Sequence, residues 1–268
     1  MRYWSVLFFL VSALAVASFV YAPFDPDWWL APNMSADGPL AFGAKVDRLF
    51  FVILFITGAV FLITEAAMVF VLWKYPESVR RRAHYTHGSK TLELVWTIIP
   101  AILLVYLTVD QMGTWAEIKF QSNRPEVQTH AEVSAVQFHW DVRYPGSDGK
   151  IGTEDDLHGV NDLHVVKGTR VLINLKTKDV LHSFFLPEMR VKQDAVPGLT
   201  IPVWFDADKA GTYDLVCAEL CGWGHYKMRG VLTVHDSQAE FDEWQTQALR
   251  EQNRSQLSPE TVAANEGE

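Results

Sequence analysis

The 268-residue sequence contains only two cysteines, Cys217 and Cys221, and both lie in one short segment. Two cysteines cannot form a framework of several disulfides. The sequence Cys-x-x-Cys-His is absent, so nothing indicates covalently attached haem or a fused cytochrome c domain. The length allows one sizeable domain together with membrane segments. Hydrophobic residues make up 49% of the chain and are concentrated in the first 113 residues.

Basic residues are scarce relative to acidic ones in the C-terminal part of the chain. From Thr114 to the end there are 24 Asp and Glu against 15 Lys and Arg, whereas the first 113 residues carry 8 of each. This balance disfavours nucleic acid as a partner and favours a basic protein partner. A solvated acidic surface explains the same balance equally well.

The segment that holds both cysteines also contains a histidine and a methionine, His225 and Met228. Thiolate, imidazole and thioether donors together suit copper better than calcium or magnesium. Zinc would accept the thiolates and the imidazole, but methionine would add little to a zinc site. A disulfide between the two cysteines is the competing interpretation in an oxidising compartment. A further donor, His182, lies 35 residues before Cys217 in an apolar, strand-like run, a suitable separation for two neighbouring loops of one β-sandwich.

Three motifs in this region resemble subunit II of haem–copper cytochrome c oxidase. They are Asp179-Val-Leu-His-Ser, Lys192-Gln-Asp-Ala-Val-Pro-Gly198 and Cys-x-Glu-x-Cys-Gly-x-x-His-x-x-Met, and the likeness runs from about Leu49 to Val234. The resemblance implies a dinuclear copper centre of the CuA type, with two bridging thiolates, one imidazole on each metal, a weak thioether and a backbone carbonyl. The corresponding residues are Cys217, Cys221, His182, His225, Met228 and Glu219. The resemblance also gives the side chain of Glu219 a role in a magnesium site at the junction with subunit I.

The same resemblance implies the copper-bearing subunit of a respiratory terminal oxidase. Such a subunit accepts electrons from a c-type cytochrome and passes them to haem in subunit I, where oxygen is reduced to water and protons are pumped. Its partners would be subunit I, other oxidase subunits and membrane lipid, with no nucleic acid. The alternatives are subunit II of a quinol oxidase, a membrane-anchored copper carrier or assembly factor, and the copper domain of nitrous-oxide reductase.

The N-terminal half of the chain predicts a membrane anchor. Residues 1–22 suit either a cleaved signal peptide or a retained first membrane helix, and residues 23–47 are expected to form an external loop. A transmembrane hairpin is predicted over 48–113, with helices at Leu49–Trp73 and Leu94–Val109. The loop between them, 74–92, is rich in basic residues and is therefore expected in the cytoplasm. Everything after Thr114 should then lie on the outer, periplasmic face of the cell inner membrane.

Two acidic residues lie in or beside these predicted helices. Glu93 begins the second helix, and the resemblance places the matching glutamate near the mouth of a proton pathway into subunit I. An ordinary acid at a helix start is the alternative interpretation. Glu65 lies inside the first helix of the hairpin and is expected to pair with a neighbouring subunit or to extend its carboxylate to the membrane surface.

From Glu132 onward the sequence changes to short alternating runs broken by turns, which predicts an antiparallel, cupredoxin-like Greek-key sandwich over 114–236. For the glycine-rich acidic loop Gly146–Asp156 the alternatives are a calcium site and a plain solvated loop, and the solvated loop is favoured. Residues 237–268 predict a short helix that begins with a capping box at Ser237, followed after Gln252 by a disordered acidic tail. The predicted strands are Glu132–Tyr144, Leu163–Val166, Arg170–Lys176, Ser183–Leu186, Thr200–Phe205, Gly211–Val216 and Gly230–His235.

One segment departs from the family pattern. Many relatives carry Gln-Trp-x-Trp before the copper loops, and electrons are proposed to enter at the first tryptophan, whereas this chain has Gln137-Phe138-His139-Trp140. On a single strand Phe138 and Trp140 would share one face, and either could serve where electrons enter. The alternative is that both are ordinary core or interface aromatics.

Overall fold

The computed structural model describes residues 3–25, 30–34, 42–75, 85–120 and 126–265, with side chains described as far as residue 254. The chain divides into two compact units, residues 1–31 with 46–123 and residues 32–45 with 124–268. Trp28 and Trp29 of the predicted external loop, and residues 76–84 of the basic loop, lie outside the described residues.

The first unit consists of three long apolar helices. They are α1 (Tyr3–Tyr21), α2 (Phe42–Lys74) and α3 (Lys90–Lys119), and each is long and apolar enough to cross a membrane. Both hairpin helices therefore exist as predicted, although each extends several residues beyond its apolar span. Ser89 caps α3 by accepting a hydrogen bond from the backbone N–H of Leu92 at 3.4 Å, as a serine at a helix start commonly does.

Polar side chains in this unit find partners within the chain. Ser12 Oγ of α1 donates to Glu65 Oε2 of α2 at 2.9 Å, and Arg48 of α2 pairs with Asp110 of α3 at 3.0 Å. A carboxylate inside a membrane span needs such a partner because hydrocarbon offers no water. Ser12 thus gives Glu65 one partner within the chain, and pairing of Glu65 with a neighbouring subunit stays a prediction.

The second unit is a sandwich of two five-stranded sheets. The first sheet has the order β3-β2-β1-β5-β8 and the second β4-β10-β9-β6-β7. The strands are β1 (Ala131–Val136), β2 (His139–Tyr144), β3 (Leu157–Val160), β4 (Asp162–Val166), β5 (Thr169–Thr177), β6 (His182–Leu186), β7 (Val191–Ala195), β8 (Ile201–Ala207), β9 (Gly211–Cys217) and β10 (Arg229–His235). Fully buried side chains from both sheets, including Val133, Leu172, Phe184 and Leu215, form the core between them.

The sandwich is mixed rather than purely antiparallel as predicted. Strand β1 pairs in parallel with β5, and β4 pairs in parallel with β10. Two strands, β3 and β7, are absent from the prediction. Both lie at the edge of a sheet, where short and polar sequences such as Val191-Lys-Gln-Asp-Ala195 are tolerated and give little alternating signal.

The single strand predicted over Glu132–Tyr144 is a hairpin of two strands. Val136 pairs with His139, so Gln137 and Phe138 form the turn between β1 and β2. Phe138 and Trp140 therefore do not share a strand face, and that prediction is wrong. Neither turn residue is of a type that normally marks a turn, so no local signal in the sequence predicts one.

The sandwich is covered at one place by helix α4 (Gln238–Asn265). Its start has the predicted cap: Ser237 Oγ accepts from the Glu240 N–H at 3.3 Å, and Glu240 accepts from the Asp236 N–H at 3.0 Å. The helix is longer than predicted and continues through the segment expected to be disordered. Good helix formers after Gln252, such as Arg254 and Ala263, explain the extension, since helix propensity is local while the disorder prediction rests on overall polarity.

Aromatic contacts attach α4 to the sheets. Phe241 is 7% exposed, and its ring centroid lies 5.4 Å from that of His130. Trp244 stacks on His164 with centroids 3.7 Å apart, and His164 Nδ1 lies 2.8 Å from Nε2 of His235. These histidines therefore help to attach α4 to the sheets.

We predict that Phe241→Ala lowers the free energy of unfolding of the sandwich by about 3 kcal/mol, because truncating a buried phenylalanine leaves a cavity beneath the helix. Denaturant unfolding of the full chain in detergent, followed by tryptophan fluorescence, measures the change. Glu243→Ala, an exposed position on the same helix, is the control and should change stability by less than about 0.5 kcal/mol. Equal effects of the two substitutions would show that Phe241 does not anchor α4.

Candidate metal centre

The soft donors converge because three neighbouring strands begin or end beside one another. His182 begins β6 and Cys217 ends β9, and these two strands pair through Phe184 and Cys217. The loop after Cys217 returns to β10, which pairs with β9. Backbone hydrogen bonds hold this return, from Cys217 N–H to Met228 O at 3.2 Å and from Ala218 N–H to Ser183 O at 3.0 Å. The loop that contains Cys221 and His225 is thus fixed at both ends.

The two thiols are close but not bonded. Their Sγ atoms lie 3.9 Å apart and both cysteines are free, whereas a disulfide requires a separation of about 2.05 Å. His182 Nδ1 lies 3.9 Å from Cys217 Sγ, and His225 Nδ1 lies 3.6 Å from Cys221 Sγ. Met228 Sδ lies 3.8 Å from Cys221 Sγ. The structure therefore brings five of the six predicted ligand residues into a chain of mutual side-chain contacts.

The sixth predicted ligand, Glu219, contributes through its backbone. Its carbonyl oxygen lies 3.3 Å from Cys217 Sγ, which places it beside the donor set as predicted. Its side chain is half-buried. Across the part of the chain that the structure describes, the one cluster of three or more His, Cys, Asp or Glu ligand atoms is His182, Cys217 and Cys221, and it does not include the Glu219 carboxylate. The acidic loop Gly146–Asp156 holds no such cluster either.

Because the paired thiols are buried, their negatively charged thiolate form is unfavourable unless a cation is bound beside them. Cys217 is 8% exposed, Cys221 5% and Met228 1%. Burial, reinforced by the neighbouring Cys217, raises the pKa of Cys221 to about 11. Metal ions bind the thiolate form, so a bound cation would supply the charge that burial otherwise removes. The donor set is therefore suited to a soft metal ion.

The arrangement differs from that of a single tetrahedral zinc. The ligand atoms of such a site all surround one ion at 2.0–2.3 Å, which brings them all close together. Here His182, Cys217 and Cys221 lie within 4.8 Å of one another, while His225 is outside that group and makes its sulfur contact with Cys221. Each thiol has its own imidazole, an arrangement that suits two metal ions sharing the thiolates. Thiolate, thioether and imidazole together favour copper.

Asp179 orients His182 and was not singled out as a site residue from the sequence. Its Oδ1 lies 2.8 Å from His182 Nε2, so that nitrogen donates and Nδ1 keeps its lone pair towards Cys217. Burial raises the pKa of Asp179, but hydrogen bonds from the Gln137 N–H, His182 and the Val180 N–H outweigh it and lower the pKa to about 2. The spacing of three residues between an aspartate and a histidine could have indicated this pair.

Phe138 packs against the metal-binding loop from the turn between β1 and β2. A Cβ added at Gly222, which has φ +140°, would lie 3.0 Å from the Phe138 ring, and a Cβ added at Gly224 would clash with the same ring. The ring also makes an edge contact with Trp223, with centroids 5.4 Å apart. From the adjoining turn residue, Gln137 Nε2 donates to Cys221 O at 2.6 Å. The turn thus supports the loop, and the two glycines let it approach closely.

Trp140 and Glu93, the other two residues with predicted roles, take no part in the contact between Phe138 and the metal-binding loop. Trp140 is 0% exposed and packs in the core, 5.7 Å from Phe184 and 6.3 Å from His182 between ring centroids. Trp140 is therefore not part of the surface that a partner protein would touch, and its role in electron entry stays a prediction. Glu93 is exposed in the first turn of α3, and its role in a proton pathway stays a prediction.

Comparison with known proteins identifies the family. Residues 130–234 match the family model of the cytochrome c oxidase subunit II periplasmic domain, and residues 33–112 match that of its transmembrane domain. The chain is 31% identical to cytochrome c oxidase subunit 2 of Thermostichus vulcanus over 258 residues, covering 75% of this chain and 74% of the relative. The alternative cytochrome c oxidase subunit 2 of Bradyrhizobium diazoefficiens is 29% identical over 253 residues, covering 86% and 87%.

A solved structure of the same family is also similar. The periplasmic domain of cytochrome oxidase subunit II (CoxB) of Bradyrhizobium japonicum is 28% identical, covers 47% of this chain and 97% of its own, and gives a TM-score of 0.42.

The matches to both family models and to the relatives show that the chain belongs to the cytochrome c oxidase subunit II family. It is a membrane protein with a periplasmic, cupredoxin-like domain and a subunit of an oxidoreductase complex.

We predict that Asp179→Ala weakens copper binding about 10–100-fold, as expected when the carboxylate that orients a histidine ligand is lost. Asp179→Asn, which keeps an acceptor oxygen, should recover most of the affinity. Competition with a chelator of known affinity measures the binding of copper to the full chain. Asp214→Ala, which removes a surface partner of Arg229, is the control. If both Asp179 variants bind copper as tightly as the unmodified chain, Asp179 does not position His182.

Proposed function

We propose that this chain is the copper-bearing subunit that accepts electrons from a c-type cytochrome for a respiratory terminal oxidase. The electrons pass on to haem in subunit I, where oxygen is reduced to water with proton pumping. The observation that carries the proposal is the pair of free, buried thiols 3.9 Å apart, each with its own imidazole. Membership of the subunit II family and the matched transmembrane domain support an oxidase subunit rather than a free copper carrier.

A dinuclear copper centre of the CuA type fits the donor set. When bound, it would supply a one-electron carrier whose charge is shared by two bridged metals, so that each metal–ligand bond changes little between oxidation states. Two cysteines, two histidines, a thioether and a backbone carbonyl would hold it. The residues are Cys217, Cys221, His182, His225, Met228 and the Glu219 carbonyl.

The surrounding protein would keep this site rigid and dry. Asp179 fixes the ring of His182, Gln137 holds the Cys221 carbonyl, and the Ser183 carbonyl anchors the loop at Ala218. Ligands already held by such contacts need little rearrangement when a metal binds or changes charge. Burial of the sulfur atoms excludes water, which together with these hydrogen bonds sets the reduction potential.

The quinol-oxidase alternative is disfavoured because that branch of the family loses the copper ligands, and here all six positions are present and lie together. The copper domain would face the periplasm from the cell inner membrane, with the basic loop 74–92 in the cytoplasm. Of the two aromatics predicted where electrons enter, Phe138 remains the candidate because Trp140 is buried. Glu93 is proposed to lie at the start of a proton pathway shared with subunit I.

The first test counts metal ions. Cys217→Ser and Cys221→Ser should each abolish the dinuclear centre, because each thiolate is proposed to bridge both coppers. Met228→Leu should retain two coppers and change mainly the reduction potential, since a long thioether bond contributes little to affinity. Copper per full-length chain is measured by elemental analysis. Two coppers retained in Cys217→Ser would contradict the proposal.

A second test concerns magnesium at the junction with subunit I. Glu219→Gln leaves the backbone carbonyl in place, so the copper content and spectrum should be unchanged. If the Glu219 carboxylate binds magnesium together with groups of subunit I, the assembled complex should lose that ion. Elemental analysis for magnesium and manganese in the purified complex decides this. An unchanged content would remove Glu219 from the magnesium site.

A further inference from the structure

The sandwich has two ends that differ sharply in surface chemistry. The end that carries the metal ligands is formed by five loops, which we call the ligand-end loops. They comprise residues 137–138, 161, 178–181, 196–200 and 218–228. The pairing of the strands brings them together, since the turn at 137–138 packs on the loop after Cys217 and residue 178 follows β5, which is parallel to β1.

Charge is balanced on the ligand-end loops. They carry two acidic and two basic side chains, Asp179 and Glu219 against Lys178 and Lys227. Three of the four are engaged locally. Lys178 pairs with Asp141, Asp179 holds His182, and Lys227 Nζ lies 4.7 Å from the ring centroid of Trp223. This end therefore offers little free charge to a partner.

The negative excess lies elsewhere. The loops at the opposite end, 145–156, 167–168, 187–190, 208–210 and 236–237, carry seven acidic and four basic side chains. The described part of α4 as far as residue 254 adds four acidic and two basic ones. The acidic composition, which by itself favoured a basic partner, is thus directed away from the metal ligands.

Exposed apolar side chains, by contrast, are concentrated on the ligand-end loops. Leu220 is 77% exposed, and Trp223 and Tyr226 are each 78% exposed. Val180, Leu181 and Leu199 on the neighbouring loops are 38%, 37% and 55% exposed. Among the described residues, no large apolar side chain on the opposite-end loops is comparably exposed. Such a concentration marks an interaction surface, and tryptophan and tyrosine are the residues that most often dominate binding energy.

We infer that the ligand-end loops form an apolar, electrically neutral docking surface for a soluble one-electron donor protein, centred on Trp223. The inference rests on the proposed function, because a donor must approach the end of the sandwich that holds the metal ligands. Trp223 lies between the ligands Cys221 and His225 in the chain and contacts Phe138, so a partner seated on its indole is adjacent to the site. The donor's matching face is apolar and carries little net charge, and charge attraction contributes little to docking.

A small interface suits an electron donor that must bind and then separate. Electron-transfer partners form among the smallest protein interfaces, below about 1,200 Å² in total, and separate readily. In an interface of that size a few large side chains account for most of the affinity. Trp223 is also supported from below by Phe138, so little side-chain freedom is lost when a partner covers it.

The test uses the complete oxidase complex that contains this chain, with two c-type cytochromes as probes, one basic and one near-neutral. Both are kept oxidised, so that binding is measured without electron transfer, at ionic strengths of about 10 mM and about 0.3 M. The basic probe should bind no more than about threefold tighter than the neutral one at low salt, and neither should change more than about threefold with salt. Tight binding of the basic probe that falls tenfold or more with salt would overturn the inference in favour of electrostatic steering.

Substitutions locate the surface. Trp223→Ser should weaken binding of the neutral probe about tenfold or more at both ionic strengths, and Trp223→Phe should recover part of the affinity. Leu220→Ser provides a second variant with a smaller loss in the same direction. Val127→Ser, an exposed apolar position outside the ligand-end loops, is the matched control and should have no effect.

Two further measurements separate this inference from the proposed function. Copper content and the copper spectrum of each variant should be unchanged. The proposed function would be refuted by a separate observation, namely an unmodified chain that never holds two coppers. Co-purification of the other oxidase subunits reports on assembly. If Trp223→Ser and Leu220→Ser leave donor binding intact but release the partner subunits, the surface belongs to the subunit interface and the docking inference is wrong.

Discussion

The separation of Cys217 and Cys221 is the constraint on which the rest of the site depends. Two sulfur atoms 3.9 Å apart are too far for a disulfide and too close for two unshielded thiolates in a buried place. No covalent bond joins the two sulfur atoms, so the fold alone must keep them at this distance. It does so by ending β9 at the first cysteine and by fixing the following loop through Ser183, Met228 and Gln137. The two imidazoles and the thioether then lie around these two sulfur atoms.

Much of this could be predicted from the sequence, because the informative signals are local. The apolar spans fix the membrane helices, alternation fixes most strands, and the donor types in the loop after Cys217 indicate copper. The turn at Gln137 and Phe138 could not be predicted, since neither residue favours a turn and the segment alternates like a strand. The consequence was large, because a hairpin buries Trp140 and leaves Phe138 near the surface.

Other features depend on tertiary contacts that composition does not report. The partner of Glu65 is a hydroxyl on another helix, Ser12, and the orientation of His182 depends on a carboxylate held by the backbone of Gln137. The net charge of the chain likewise says nothing about where its acidic groups lie. Strand pairing places seven acidic side chains on the loops opposite the metal ligands and only two on the ligand-end loops, where Trp223 and its neighbours are exposed.

The most direct measurement is the electron paramagnetic resonance spectrum of the full-length chain loaded with copper and oxidised. The account predicts two coppers per chain and one unpaired electron whose hyperfine pattern shows equal sharing between two copper nuclei, as two shared thiolates require. A spectrum of a single isolated copper ion, or a chain that binds one metal and no more, would contradict the dinuclear site and with it the proposed function.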